Sequence, residues 1–208
     1  MSTRNRRVAA WNETVQTREQ QFNLKRIAVL REATRAFNLQ GYHGTSLDDV
    51  AKTLGVTKPA LYYYFKNKQE ILLEAHNLTL DLGDSAFEYA YENGKTGREI
   101  LLAWSTKFIE LFNSEVGDCA VLVEFQALDP ANREIVAARR DKAQHQMEEI
   151  VERGIADGSI RQVDPKLTVL FFMGALNWMT RWYRQGGPRT SADIAAVFTD
   201  LLDHAVAP

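Results

Sequence analysis

Residues Thr45–Phe65 read TSLDDVAKTLGVTKPALYYYF. Leu47, Val50, Ala51 and Leu54 recur at helical spacing. Thr45 or Ser46 stands in the capping position, and Asp48 and Asp49 follow each at three residues, the spacing of a capping box. Gly55 breaks this short helix. Thr57 then caps a second one, which tolerates Pro59 because a first-turn amide needs no intrahelical partner. Ala51, four residues before Gly55, is small where two helices approach, and Leu61, six residues after it, anchors the second helix. Val50, Leu54, Val56 and Leu61 are predicted to form a mini-core with Leu30, Ala33 and Phe37 of the preceding helix. The stretch from about Ser46 to Tyr64 therefore reads as a helix-turn-helix, a unit that lays its second helix in the major groove of duplex DNA.

The residue types suit that placement. Lys58 can donate to guanine O6 or N7, or to a phosphate, and Pro59 and Ala60 can touch a thymine methyl. Thr45, Ser46 and Thr57 put hydroxyls and helix N-termini where phosphates dock. Tyr62, Tyr63 and Tyr64 bring hydroxyls and rings. Three consecutive helical residues point three ways, so one tyrosine is expected in the core, and Tyr62 and Tyr63 are the better DNA candidates. Lys66 and Lys68 extend the basic rim.

Working outward, residues 1–20 are polar and carry Arg4, Arg6, Arg7 and Arg18. They read as a flexible basic arm, a disordered tail in the first instance and a minor-groove or phosphate contact in the second. A helix is predicted over Gln21–Leu39, with Ile27, Leu30, Ala33, Thr34 and Phe37 on one face, and Gly41 supplies its stop. Asn67, with Glu70 three residues on, caps a long fourth helix to about Tyr91. Further helices are predicted near 97–115, 118–127, 131–157, 165–185 and 191–206, separated by Asn93-Gly94, Asp129-Pro130, Asp157-Gly158, Asp164-Pro165 and Gly186-Gly187-Pro188. No run alternates with period two. The expected fold is all-α, about nine helices: a three-helix DNA-binding domain over 21–66, then a helical-bundle ligand-binding and dimerisation domain over 67–208.

Charge divides the same way. Residues 1–80 hold 12 Lys and Arg against 7 Asp and Glu, a balance of +5, while the remainder holds 13 against 20, a balance of −7. A basic front on an acidic rear points to a DNA-facing module joined to one that avoids DNA. Cys119 is the single cysteine, so no internal disulfide forms, and it reads as a small buried residue in a reducing compartment. No signal-peptide core opens the chain, and the apolar stretch Leu167–Met179 is too short to span a bilayer. A cytoplasmic protein without membrane attachment is expected.

Leu167–Tyr183, LTVLFFMGALNWMTRWY, is apolar nearly all round, and the last helix repeats Ile194, Val197, Phe198, Leu201, Leu202 and Ala205. A two-fold four-helix interface would cover such faces and set two reading helices about one DNA turn, about 34 Å, apart. A pocket is expected among the middle helices, lined by Trp104, Phe108, Leu111, Phe112, Phe125, Phe171, Phe172 and Trp178, with core packing as the competing role for each. Asn177 and Arg181 are polar in a very apolar helix and need a partner: a ligand, the other subunit or a backbone carbonyl, with the interface favoured. The four histidines show no metal-ligand spacing, and neither a phosphate-binding glycine loop nor a nucleophile motif occurs. No cofactor and no enzymatic activity are expected.

Residues about 22–76 resemble the DNA-binding domain of the TetR family of transcriptional regulators. The resemblance rests on Ala36-Phe37, Gly41-Tyr42, Thr45-Ser46, Val50-Ala51, the run Gly55–Phe65 and Asn67-Lys68-Gln69-Glu70. It implies a homodimer, a palindromic operator, a small-molecule effector, and DNA contacts at Thr45, Lys58, Pro59, Ala60, Tyr62, Tyr63, Tyr64 and Lys68. Tyr64 stands where the family often has histidine. The string Leu176–Gly187 resembles TetR-family repressors of fatty-acid or sterol catabolism, which implies an acyl-CoA effector. The alternative from another class is a helical small-molecule-binding protein or carrier that does not bind an operator.

Overall fold

The computed structural model describes residues 17–114, 124–183 and 187–208, without the side chains of Thr180 and Arg181. The basic arm before residue 17 and Cys119 lie outside the described residues, as does most of the helix expected over 118–127. Eight α-helices and one 3₁₀ turn make up the described fold, which contains no strand. They are α1 (Arg18–Gln40), α2 (Leu47–Thr53), α3 (Lys58–Tyr62), α4 (Lys68–Asn93), α5 (Gly97–Phe112), the 3₁₀ turn Phe125–Ala127, α6 (Pro130–Ala156), α7 (Pro165–Trp182) and α8 (Ser191–Val206).

The ends follow from local chemistry. Thr17 and Gln20 form a capping box that starts α1 three residues earlier than the apolar pattern indicates. Ser46 caps α2 by accepting the Asp48 amide at 3.2 Å; no reciprocal bond from an acidic side chain completes the expected box. Thr57 holds the N-cap position of α3 but accepts no amide through its side chain. Asn67 caps α4 through the Glu70 amide at 2.8 Å. Gly41 (φ 78°) and Gly55 (φ 66°) occupy left-handed backbone that a β-carbon would strain, and each ends a helix ahead of the next element.

Two hydrophobic clusters share α4. The front cluster joins Val29, Leu30, Ala33 and Phe37 of α1, Leu47, Val50 and Ala51 of α2, then Leu61 and Phe65. It also takes Ile71, Leu72 and Ala75 from the start of α4, with Leu128 and Val136 from the rear of the chain. The rear cluster gathers Leu82, Ala86, Phe87 and Ala90 of α4 with buried residues of α5 to α8. The first turns of α4 thus belong by packing to the three-helix front. Two residues expected inside are outside: Ile27 is 45% exposed and Val56 42%. The inward stripe of α1 runs instead through Val29 and Leu30, and Val56 sits in the turn, its amide bonded to the Ala51 carbonyl and its side chain outside the front cluster.

Candidate nucleic-acid interface and effector cavity

The front surface is built by α3 and the turn before it. Leu61 and Phe65, four residues apart, are fully buried and fix which way the helix faces. Thr57, Lys58 and Pro59 are then exposed and Ala60 half-buried, with Tyr62 43% and Tyr63 66% exposed. Lys58 Nζ meets Asp48 at 2.8 Å, and this hydrogen bond raises its pKa, so the ammonium stays charged. The pair is solvent-exposed on both sides and therefore weak enough to exchange for a phosphate or a base edge. Tyr64 is the inward tyrosine of the three: its ring lies 5.1 Å from Phe22 and 5.2 Å from Tyr63.

Two residues expected at phosphates are used inside the fold. Thr45 is buried, and its hydroxyl donates to the Gly41 carbonyl at 2.9 Å. Lys68 Nζ donates to the Thr45 carbonyl at 2.8 Å and lies 4.0 Å from the Tyr42 ring centroid. Burial lowers the Lys68 pKa, and Glu124 opposes the effect. Both side chains are anchored by the backbone between α1 and α2. Ser46 is occupied by its cap.

Behind this surface is a cavity of about 460 Å³, within the usual range for a small-molecule site. α4 contributes His76, Thr79, Gly83 and Phe87, which stand three, seven and eleven residues after the first and so share one face. α5 gives Trp104 and Phe108, whose rings stack at 4.8 Å, and the 3₁₀ turn gives Phe125. α6 gives Arg140, Gln144 and Met147, and α7 gives Val169, Met173 and Asn177. Trp104 Nε1 donates to the Gly83 carbonyl at 3.3 Å, which satisfies its polar edge. His76 is 3% exposed, and burial depresses its pKa to about 4, with Arg140 acting in the same direction. The ring is therefore neutral at neutral pH.

Of the residues named from sequence, Trp104, Phe108, Phe125 and Asn177 are brought together on this wall. Phe112 and Phe172 are buried in the rear core away from it. Leu111 packs against that core, and Phe171 and Trp178 are 79% and 66% exposed on the outer side of α7. The Arg181 side chain lies outside the described residues. His76, Arg140, Gln144 and Met147 are cavity residues that the sequence reading misses. Their signal is the i, i+3, i+7, i+11 face of α4 and its counterpart on α6, whereas spacing alone tests the histidines only as metal ligands. Among the described residues no three His, Cys, Asp or Glu side chains cluster as a metal site, and no helix is long and apolar enough to cross a membrane.

A polar clasp joins cavity to front. Gln69 Nε2 donates to the Tyr42 hydroxyl at 2.9 Å and to the Ala127 carbonyl at 2.7 Å, while its Oε1 accepts the Asp129 amide at 3.0 Å. The Glu124 carboxylate accepts the Tyr42 amide at 3.1 Å. Arg26 and Glu74 add a bidentate pair between α1 and α4. The segment that presents Phe125 to the cavity is thus bonded to the base of the helix-turn-helix.

A helix-turn-helix on a helical domain with its own cavity is the architecture of a transcriptional regulator. Residues 29–75 match the family described as bacterial regulatory proteins, tetR family, and residues 94–206 match the tetracyclin repressor-like C-terminal domain. The chain belongs to the TetR family of transcriptional regulators. It is 29% identical over 182 residues to the uncharacterized HTH-type transcriptional regulator YhgD of Bacillus subtilis, covering 81% of this chain and 90% of that one. It is 25% identical over 186 residues to the HTH-type transcriptional repressor KstR2 of Mycolicibacterium smegmatis, covering 86% and 88%. Among solved structures, the TetR family regulator PfmR of Thermus thermophilus superposes with a TM-score of 0.72 at 33% identity, covering 85% and 97%. AibR, solved in complex with isovaleryl coenzyme A and operator DNA, gives 0.70 at 28%, with the same coverage.

Proposed function

We propose that this protein is a homodimeric repressor that holds a palindromic operator through α3 and releases it when a small apolar effector fills the cavity. The observation that carries the reading is that α4 is shared: it begins in the front core and forms the cavity wall. An effector that prefers one tilt of α4 changes the separation of the two reading helices, and a shift of a few ångströms spoils simultaneous fit to both half-sites. The effector acts only through its differential affinity for the two arrangements. Acyl-coenzyme A thioesters are the first class to test, a choice supported by the cavity's apolar wall and by the isovaleryl coenzyme A complex of AibR.

Dimerisation is supported by apolar surface left open on the last two helices. Leu167, Phe171 and Trp178 of α7 and Val197 and Leu201 of α8 are more than half exposed, which a monomer does not keep in water without reason. DNA reading is assigned to Thr57, Lys58, Pro59, Ala60, Tyr62 and Tyr63. Tyr64, Lys68, Thr45 and Ser46 support them by holding α3 and its phosphate-facing neighbours in place.

A gel-shift titration against the upstream region of the protein's own gene tests the reading. Binding is expected to fall steeply with salt, and Lys58→Ala with Tyr63→Ala to abolish it. A panel of acyl-CoAs tests the thioester class. Salt-insensitive binding, or full binding by the double variant, would refute the operator assignment. Calorimetry without heat across the panel would refute the thioester effector.

A further inference from the structure

Two polar side chains of the cavity lie against one ring. His76 of α4 and Arg140 of α6 flank the Phe125 ring: the His76 ring meets it edge-on with centroids 6.4 Å apart, and the Arg140 guanidinium carbon lies 4.9 Å from its centroid. One nitrogen of the His76 ring is held by a backbone hydrogen bond to Glu124, while Nε2 is buried with no partner. A buried ring nitrogen left unpaired is costly, and this one belongs to a residue of the cavity wall, where a bound molecule can complete it. Arg140 is half-buried, and among the described residues no carboxylate forms a salt bridge with it. Among the described lining residues the other charged group is the exposed Asp141, also on α6; those of α5 and α7 carry none, and the neighbouring Glu124 carboxylate is bonded to the Tyr42 amide.

We infer that this part of the cavity is a receptor for a carboxyl group, so that the effector is an apolar carboxylic acid whose chain lies along Trp104 and Phe108. The inference rests on the cavity being the effector site. The chemistry is complementary in both senses. Arg140 donates to one carboxyl oxygen. His76, whose bonded nitrogen donates to the Glu124 carbonyl, offers Nε2 as an acceptor in its neutral ring, and the second carboxyl oxygen brings the proton that Nε2 lacks. A thioester presents its carbonyl to Arg140 but has no proton for Nε2, and an alcohol has no second oxygen for Arg140. Because an acid is ionised in neutral solution, binding at pH 7 takes one proton from the buffer, and the proton ends shared between the carboxyl and Nε2. No covalent bond changes.

Calorimetry on the full-length protein with decanoate, decan-1-ol and decanoyl-coenzyme A tests this, repeated in buffers of different ionisation enthalpy to count protons. Decanoate is expected to bind tightest, with uptake of about one proton. Arg140→Met is expected to weaken decanoate about tenfold or more while leaving decan-1-ol unchanged, and His76→Leu to weaken decanoate as much and to abolish the proton uptake. Circular dichroism melts verify that each variant is folded, and the unchanged decan-1-ol affinity of Arg140→Met reports an intact cavity. Equal binding of acid and alcohol by the wild type, or decanoate affinity within about twofold in Arg140→Met, overturns the carboxyl receptor. Binding of decanoyl-coenzyme A with decanoate inert overturns it too but leaves the effector cavity standing. Silence from all three probes overturns both.

Discussion

Lys58 and Lys68 are ten residues apart and equally basic on paper, yet their surroundings separate their roles. Lys58 ends in a solvent-exposed pair with Asp48, whereas Lys68 is spent on the Thr45 carbonyl and the Tyr42 ring. Lys58→Ala is therefore expected to weaken operator binding and lower its salt slope by about one. Lys68→Met is expected to leave that slope unchanged and to cost about 1–2 kcal/mol of stability in urea denaturation, the scale of one charged hydrogen bond with a cation–π contact. Equal salt slopes for the two variants would show that the distinction is wrong. The exposed side chains of α3 were legible because Leu61, and Phe65 just beyond the helix, are buried beneath it. The diversion of Thr45 and Lys68 was not, since it depends on where the Gly41–Thr45 backbone returns against α4. His76 gives a second residue-scale expectation. Its folded pKa, about 4, lies below the ordinary 6.5. Below pH 6.5 the unfolded ring takes a proton that the folded ring refuses until about pH 4, so stability is full above this window and falls within it, by up to about 3 kcal/mol. Asp157, Asp193 and Asp203 have pKa values lowered below 3.8 and so lose their contribution at still lower pH. His76→Phe is expected to flatten the dependence of Tm on pH between 6.5 and 4; an unchanged slope there would contradict it.

At the scale of elements, helix positions were well marked in the sequence, because each boundary carries its own punctuation. Asp129-Pro130, Asp164-Pro165 and Thr190 start α6, α7 and α8 with a capping side chain or an early proline. What the sequence concealed is how closely helices approach. A β-carbon on Gly97 would lie 2.2 Å from the Gly154 amide nitrogen and 2.7 Å from the Ile150 carbonyl oxygen, so the start of α5 sits directly on the α6 backbone. Asp157 locks this crossing by accepting the Gly97 amide at 2.8 Å, and its hydrogen bonds, first from Ser159, hold its carboxyl below the usual range. Neither glycine has a positive φ, and one glycine in a helix looks like any other until the partner helix is known. Gly97→Ala must push apart two backbones rather than a flexible side chain. It is expected to destabilise by about 3 kcal/mol or more in urea denaturation, at the upper end of overpacking, whereas Gly174→Ala, which meets nothing within 4 Å, is expected to be neutral or slightly stabilising. A similar small effect for both would mean that α5 and α6 can separate freely. Cavity positions were half legible for a related reason. Aromatics on α5 announced an apolar interior, while the polar pair required knowing that one face of α4 and one of α6 converge on Phe125.

For the whole molecule, the same helix α7 has two duties on opposite sides. Val169, Met173 and Asn177 face the cavity, while Phe171 and Trp178 face outward at 79% and 66% exposure. In the proposed dimer the outer side meets its symmetry mate, so effector, interface and α3 spacing are mechanically one system. A single α3 helix reads too few base pairs to hold an operator alone, and affinity then depends on two copies joined at fixed spacing. Phe171→Glu places like charges across the two-fold axis without touching the front core or the cavity wall. It is expected to shift the protein to a monomer in analytical ultracentrifugation and to weaken operator binding by about a hundredfold or more, the scale of a lost bivalent advantage. Far-ultraviolet circular dichroism should stay helical, because the side chain is already exposed within one subunit, while Tm falls as the stabilisation by the partner is lost. Calorimetric binding of an apolar probe should persist, since the cavity walls belong to one chain. A dimeric Phe171→Glu protein, or a monomer that binds the full operator as tightly as the wild type, would remove the link between the apolar rear face and DNA reading.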